Sequence, residues 1–192
     1  MPVPERLTID VTVARDYLDR RRDRHSLAIE LFELARHGAV ELSTAPQGNR
    51  LDVTSDLAEQ LQTMFACEEV AEAPQLAYPS TVTYPGPNLI PGAYVAGFAE
   101  AWDALVAGWR SHEGKPPGLG DRFHVETHVL QKRDVFLTDD RPLLLMCRRL
   151  SNEHGIPIVA TGLMEYLESR SATNAAAAGG ETAGGRGKNR PH

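Results

Sequence analysis

Asp10, Asp121 and the adjacent pair Asp139 and Asp140 are the residues of this 192-residue chain whose type and placement could do chemistry. Asp10 follows directly on Leu7-Thr8-Ile9, and Asp139 and Asp140 close the run Val135-Phe136-Leu137-Thr138. Asp121 opens the segment that precedes the second of these runs. In an open α/β sheet, ligands gather at the carboxyl ends of the strands. Parallel strands would therefore bring these carboxylates to one edge from distant parts of the sequence. Like charges held close together repel, and one of them normally takes up a proton. A divalent cation removes that conflict. Carboxylate oxygens are hard ligands suited to Mg²⁺ or Mn²⁺, and a bound metal lowers the pKa of water and braces charge on a phosphate. The chemistry that fits is phosphodiester hydrolysis. Any one of these aspartates alone is better read as a helix cap or a turn residue; the joint pattern is what points to a site.

The elements that must position them are legible as alternating strands and helices. Leu7 to Ile9 reads as a strand and Val11 to Asp19 as a helix start. Leu27, Ile29, Leu31, Leu34 and Ala35 fall near the helical period over Ser26–His37, and Gly38 stops that helix. Ala39 to Ser43 alternates like a strand, and Thr54 or Ser55 caps a helix over Asp56–Glu69. Glu72 to Pro91 carries five prolines and little pattern, so it reads as a long loop or insertion. A helix follows over Ala93–Arg110, broken by the Gly-Pro stretch Gly114–Gly120, and another over Asp121–Lys132. Val135 to Leu137 is a strand, and Pro142 suits the first turn of a helix that Gly155 ends. Ile156 to Val159 is a strand and Leu163 to Leu167 a short helix. This order predicts a three-layer α/β/α domain over residues 1–170 with a mainly parallel central sheet. Residues 171–192 have no large apolar side chain and read as a disordered tail.

The chain resembles the PIN domain family of metal-dependent ribonucleases. Ile9-Asp10-Val11-Thr12 is similar to the family's opening strand and first acidic residue, with Thr12 where the family usually has Asn. DRFHVETHVLQKRDVFLTDDRPLL, from Asp121 to Leu144, resembles its pattern of Asp, a helix, and a strand closing in Thr-x-Asp. Gly155 to Val159 with Met164 to Leu167 resembles its closing strand and helix. The likeness covers the first and last thirds of the fold. It implies a PIN-like architecture in which Asp10, Asp121 and Asp140 bind metal and Thr138 is a supporting hydroxyl. The family's Glu after the second strand has no counterpart in LSTAPQGNRLDV; Asp52 is the nearest substitute, with Asp56 or Glu59 behind it. The implied activity is a Mg²⁺- or Mn²⁺-dependent endoribonuclease acting on single-stranded or looped RNA, whose backbone a shallow acidic groove can reach. Some members of the family are toxins paired with an antitoxin protein, which implies such a partner here.

The remaining features bound the reading. Twenty basic against 26 acidic residues give a net charge of -6, which argues against a broadly positive nucleic-acid-binding surface. Cys67 and Cys147 match no zinc spacing and read as two reduced, buried thiols of a cytoplasmic protein. Met1 to Arg6 lacks the order of a secretion signal, and no apolar run is long enough to span a membrane. His124 and His128, with Glu126 between them, read as buried packing histidines before metal ligands. Trp102 and Trp109 read as a helix core face. Arg20, Arg21, Arg22 and Arg24 read equally as phosphate grips or as a solvated charged turn. The absent Glu, Thr12 and the Pro-rich insertion motivate a second reading, a catalytically inactive PIN-like scaffold that binds RNA or a protein. A hydrolase acting on a small phosphate with the same acidic cup is a third. A homodimer is left open.

Overall fold

A computed structural model describes residues 3–45, 54–68, 70–72, 75–76, 89–90 and 95–180. The elements in chain order are β1 (Glu5–Ile9), α1 (Val11–Leu18), α2 (His25–Arg36), β2 (Val40–Thr44), α3 (Ser55–Cys67), β3 (Ala71–Glu72), β4 (Gln75–Leu76), β5 (Leu89–Ile90), α4 (Phe98–Ala107), α5 (Leu119–Leu130), β6 (Val135–Leu137), α6 (Arg141–His154), β7 (Ala160–Thr161) and α7 (Leu163–Gly180). Five strands form one sheet in the order β3-β2-β1-β6-β7, every pair parallel. The three-layer α/β/α arrangement read from the sequence is the one observed.

Strand alternation sorts the two faces of the sheet. Leu7, Ile9, Leu42, Val135 and Leu137 point into one core, shared with α1, α2, α3 and α7 through residues such as Val13, Phe32, Leu61 and Leu163. Phe136 points the other way, into a second core with Phe98, Trp102, Met146, Leu150 and Ile158. Thr8 pairs in register with Ser43 on one side and Phe136 on the other, so these three share the second face. Trp102 is buried there and Trp109 packs at its margin, as the core-face reading has it.

The strand order reverses direction between β1 and β6. The chain runs outward from β1 through β2 to β3, then returns to pair β6 against the other side of β1. Such a switch point opens a crevice at the carboxyl ends of the two strands. Asp10 leaves β1 there and Thr138, Asp139 and Asp140 leave β6 there. A backbone hydrogen bond from Asp10 N–H to Leu137 O, 3.2 Å, carries the pairing past the end of β1.

Several boundaries differ from the sequence reading. The last strand pairs at Ala160–Thr161, after Ile156–Val159. Ile156 and Ile158 are buried by packing against α6 and its neighbours without a full ladder, and of that segment Val159 O accepts from Phe136 N at 2.8 Å. The closing helix runs to Gly180 instead of Leu167, so residues 171–180 are helical and not a disordered tail. Leu163, Tyr166 and Leu167 anchor the first turns in the core. Once a helix is nucleated, an alanine-rich continuation such as Ala175–Ala178 adds residues at little cost. Residues 181–192 lie outside the described residues. Of the Pro-rich stretch, β4 and β5 pair as a small parallel ribbon separate from the main sheet, and residues 73–74 and 77–88 lie outside the described residues. Among the described residues no helix is long and apolar enough to cross a membrane.

Candidate active site at the β1–β6 switch point

Asp10 is both a helix cap and the centre of the crevice. Its Oδ1 accepts from Thr12 N at 2.8 Å, Thr12 Oγ1 at 2.6 Å and Val13 N at 3.2 Å, which starts α1. Its Oδ2 accepts from the Thr138 hydroxyl. Asp10 is 4% exposed, and burial pushes its carboxyl up to about 6 against the opposing pull of these hydrogen bonds. The aspartate therefore holds a proton far more readily than a solvated one.

Two threonines tie the ends of β1 and β6 together. Thr138 Oγ1, while donating to Asp10, accepts from Asp140 N at 3.1 Å. Thr12 Oγ1, while donating to Asp10 Oδ1, accepts from Asp139 N at 3.3 Å. Thr12 thus gives the site a hydroxyl that donates to the acid and receives the partner strand's backbone.

Asp140 caps α6, its Oδ1 accepting from Leu143 N at 3.1 Å. Asp121 lies in the first turn of α5, its Oδ2 accepting from Gly118 N at 2.7 Å. Each carboxylate thus uses one oxygen on its helix start, and the other has no hydrogen bond among the described residues. The Asp121 carboxyl is pushed up, first by burial and then by the negative charge of Asp140, while Gly118 N–H and Lys115 oppose the shift. The buried Cys147 thiol on α6 is pushed up by burial and by the charges of both Asp10 and Asp121. Asp10, Thr138 and Asp140 are joined by hydrogen bonds, and Asp121 lies near enough to be repelled by the Asp140 charge.

Asp52 lies outside the described residues. Asp56 and Glu59 are exposed on α3, where they line a surface groove of about 710 Å³ with Leu18, Gln60, Thr63 and Met64, and neither is bonded to the crevice carboxylates. Among the described residues, no group of three or more His, Cys, Asp or Glu side chains is arranged to hold a metal ion. Of the four carboxylates foreseen as a metal shell, Asp10, Asp121 and Asp140 are described and Asp52 lies outside the described residues. The two oxygens of Asp10 accept from four donors. A pair of carboxylates is still sufficient for Mg²⁺, which keeps several waters and is often held by one or two carboxylates together with substrate phosphates. The open oxygens of Asp121 and Asp140 are hard donors that fit such an ion.

The histidines of α5 are packing residues. His124 and His128 are fully buried, and burial pulls both down to about 4, so both are neutral near pH 7. His128 Nδ1 is 3.0 Å from Thr8 Oγ1, and its ring meets Phe136 edge-on. Glu126, also buried, is pushed up to about 7 by burial, with Val95 N–H opposing.

The sequence reading named Asp139 but missed Asp16, the acid whose charge it feels. Asp16 on α1 is 2% exposed and ion-paired with Arg22. Asp139 Oδ1 accepts from Leu163 N at 3.3 Å, which fixes the start of α7, and its Oδ2 lies 3.4 Å from Arg24 NH1. The Asp139 carboxyl is pushed up by burial and by Asp16, with Arg24 and Leu163 N–H opposing. The signal available was the position of Asp16: three residues after Val13, it falls on the buried stripe of α1.

No family model matches this sequence, and no curated protein matches it. Among solved structures the chain is similar to a chain in the crystal structure of VapBC2 from Rickettsia felis bound to a DNA fragment from their promoter. The two are 10% identical with a TM-score of 0.39, over 82% of this chain and 98% of that one.

Proposed function

We propose that this chain is a PIN-like, Mg²⁺- or Mn²⁺-dependent endoribonuclease whose site is formed by Asp10, Asp121, Asp140 and Thr138. The observation that carries this is the Thr138 hydroxyl, which links the Asp10 carboxylate to the Asp140 backbone at the switch point of the sheet, beside an Asp121 that feels the Asp140 charge. Asp121 and Asp140 would hold the metal through their open oxygens, Asp10 would add its charge, and Asp52 would complete the set. When bound, the metal supplies a water acidic enough to attack and positive charge opposite the phosphate. Asp10, held by Thr12, Val13 and Thr138, would present a fixed buried carboxylate beside that ion. Thr138 fixes the Asp10 carboxylate so that its orientation does not change during the reaction. The resemblance to PIN toxins extends the reading to an antitoxin-type protein partner.

The test is RNA cleavage by the purified chain with Mn²⁺, lost in Asp10→Asn and in Asp140→Asn. Equal cleavage by parent and variants removes the proposal. One observation favours the inactive scaffold instead: both oxygens of Asp10 are engaged within the protein. Thermal unfolding separates the two readings. A nuclease is stabilised by millimolar Mn²⁺ and a scaffold is not.

A further inference from the structure

Beside the acidic crevice, the α1–α2 junction places Arg21, Arg22 and Arg24 around a cavity of about 530 Å³, with Asp16 and Asp23. The Arg24–Asp139 ion pair links this cavity to the site. Asp139, the partner of Arg24, is the neighbour of Asp140 in sequence, and its N–H is held by the same Thr12 hydroxyl that donates to Asp10. The three arginines differ in how firmly they are held. Arg22 is paired with the buried Asp16. Arg21 is 90% exposed and bonded only to the local Asp19. Arg24 is 48% exposed and approaches Asp139 at 3.4 Å without a hydrogen bond, and Asp139 Oδ2 is left buried and unbonded. A guanidinium has five donors in a fixed fork suited to phosphate oxygens, and that of Arg24 is half-exposed, with NH1 against Asp139 Oδ2.

A chain of net charge -6 with an acidic centre repels a polyanion unless cations stand next to that centre. We propose that Arg24, with Arg21 beside it, is the clamp for the backbone phosphate of a single-stranded RNA that flanks the one to be cleaved. This rests on the nuclease reading and adds where the strand lies: along the α1–α2 junction, on the Asp139 side of the crevice. Arg24 keeps its ion pair with the largely buried Asp139 and offers its remaining guanidinium donors to the phosphate. Arg22 stays on Asp16, because withdrawing it would leave a buried carboxylate without a counter-charge.

Binding can be measured apart from cleavage. Fluorescence anisotropy of a labelled 12-nucleotide oligo(U) against the full chain, in EDTA and over a series of KCl concentrations, reads the contact directly. Each phosphate contact on a single strand contributes about 0.7 to the slope of log affinity against log salt. Arg24→Ala is expected to weaken binding about 3- to 10-fold at low salt and to lower the slope by about 0.7. Arg24→Lys should keep most of the slope. Arg21→Ala, at a position too exposed to affect folding, should weaken binding by a smaller factor. Unchanged affinity and slope in both alanine variants, or no binding by the parent, overturns the clamp. If the variants lose binding while the parent never cleaves RNA, the hydrolytic reading fails and the clamp stands.

Discussion

Thr138 donates its hydroxyl proton to Asp10 Oδ2 and at the same time accepts the backbone N–H of Asp140 at 3.1 Å. One fully buried side chain thus fixes both the first and the last acid of the crevice, which arrive from positions 128 and 2 residues away along the chain. Thr138→Val keeps the shape but leaves the Asp10 oxygen and the Asp140 N–H without this partner. The expected cost is roughly 1–3 kcal/mol of stability, together with loss of Mn²⁺-dependent RNA cleavage. Thr138→Ser should restore most of both. Denaturant unfolding and a cleavage assay on the three proteins check this.

Asp140 has two separable roles. Asn retains an oxygen for Leu143 N–H, so Asp140→Asn should keep the α6 cap while losing metal-dependent stabilisation. Asp140→Ala should lose both, with a further drop of about 0.5–2 kcal/mol. Urea unfolding with and without Mn²⁺ distinguishes them. Equal stability of the Asn and Ala variants would refute the capping role.

Glu126 makes stability depend on pH. Its carboxyl rises from 4.5 to about 7 on folding, so the folded chain binds the proton more tightly than the unfolded one. Stability from this group is then fully present below about 4.5 and falls as pH rises to about 7. Above that, the ionised buried carboxylate costs roughly 1–3 kcal/mol. Glu126→Gln should therefore be more stable than the parent at pH 8, with the gain shrinking toward pH 5. Thermal melts across that range read the difference, and a gain independent of pH contradicts the assignment.

Gly162 stands where a side chain has no room. A Cβ there would meet Asp139 Oδ1 at 2.9 Å. Gly162→Ala must push that carboxylate away from Leu163 N–H, loosening the start of α7 and the contact to Arg24. The expected loss is about 1–3 kcal/mol. Pairing it with Asp139→Ala, which makes the space, should recover part of the loss by the α7 packing alone, measured by chemical denaturation.

The two thiols should differ in reactivity. Cys67 at the end of α3 is exposed, not buried as the sequence reading has it, whereas Cys147 is buried and raised further by the Asp10 and Asp121 charges. Alkylation of the native chain should label one cysteine and that of the unfolded chain two. Rapid labelling of Cys147 in the native protein would contradict its place behind the crevice.

The sequence by itself determined the layer architecture, because the short β-prone runs Leu7-Thr8-Ile9 and Val135-Phe136-Leu137 and the helical spacing of Leu27, Leu31 and Leu34 are local patterns. It also pointed to Asp10 and Asp140, since an acid closing a buried strand and capping the next helix is written in consecutive residues. Only the tertiary structure decided that Thr138 and Thr12 bind those ends together, that Asp121 lies within reach of the Asp140 charge, and that Asp16 and Asp139 form a second pair faced by Arg22 and Arg24. Those relations depend on which strands become neighbours. The choice of β6 to pair beside β1 is made by burial over the whole sheet and leaves no mark on any short stretch of chain.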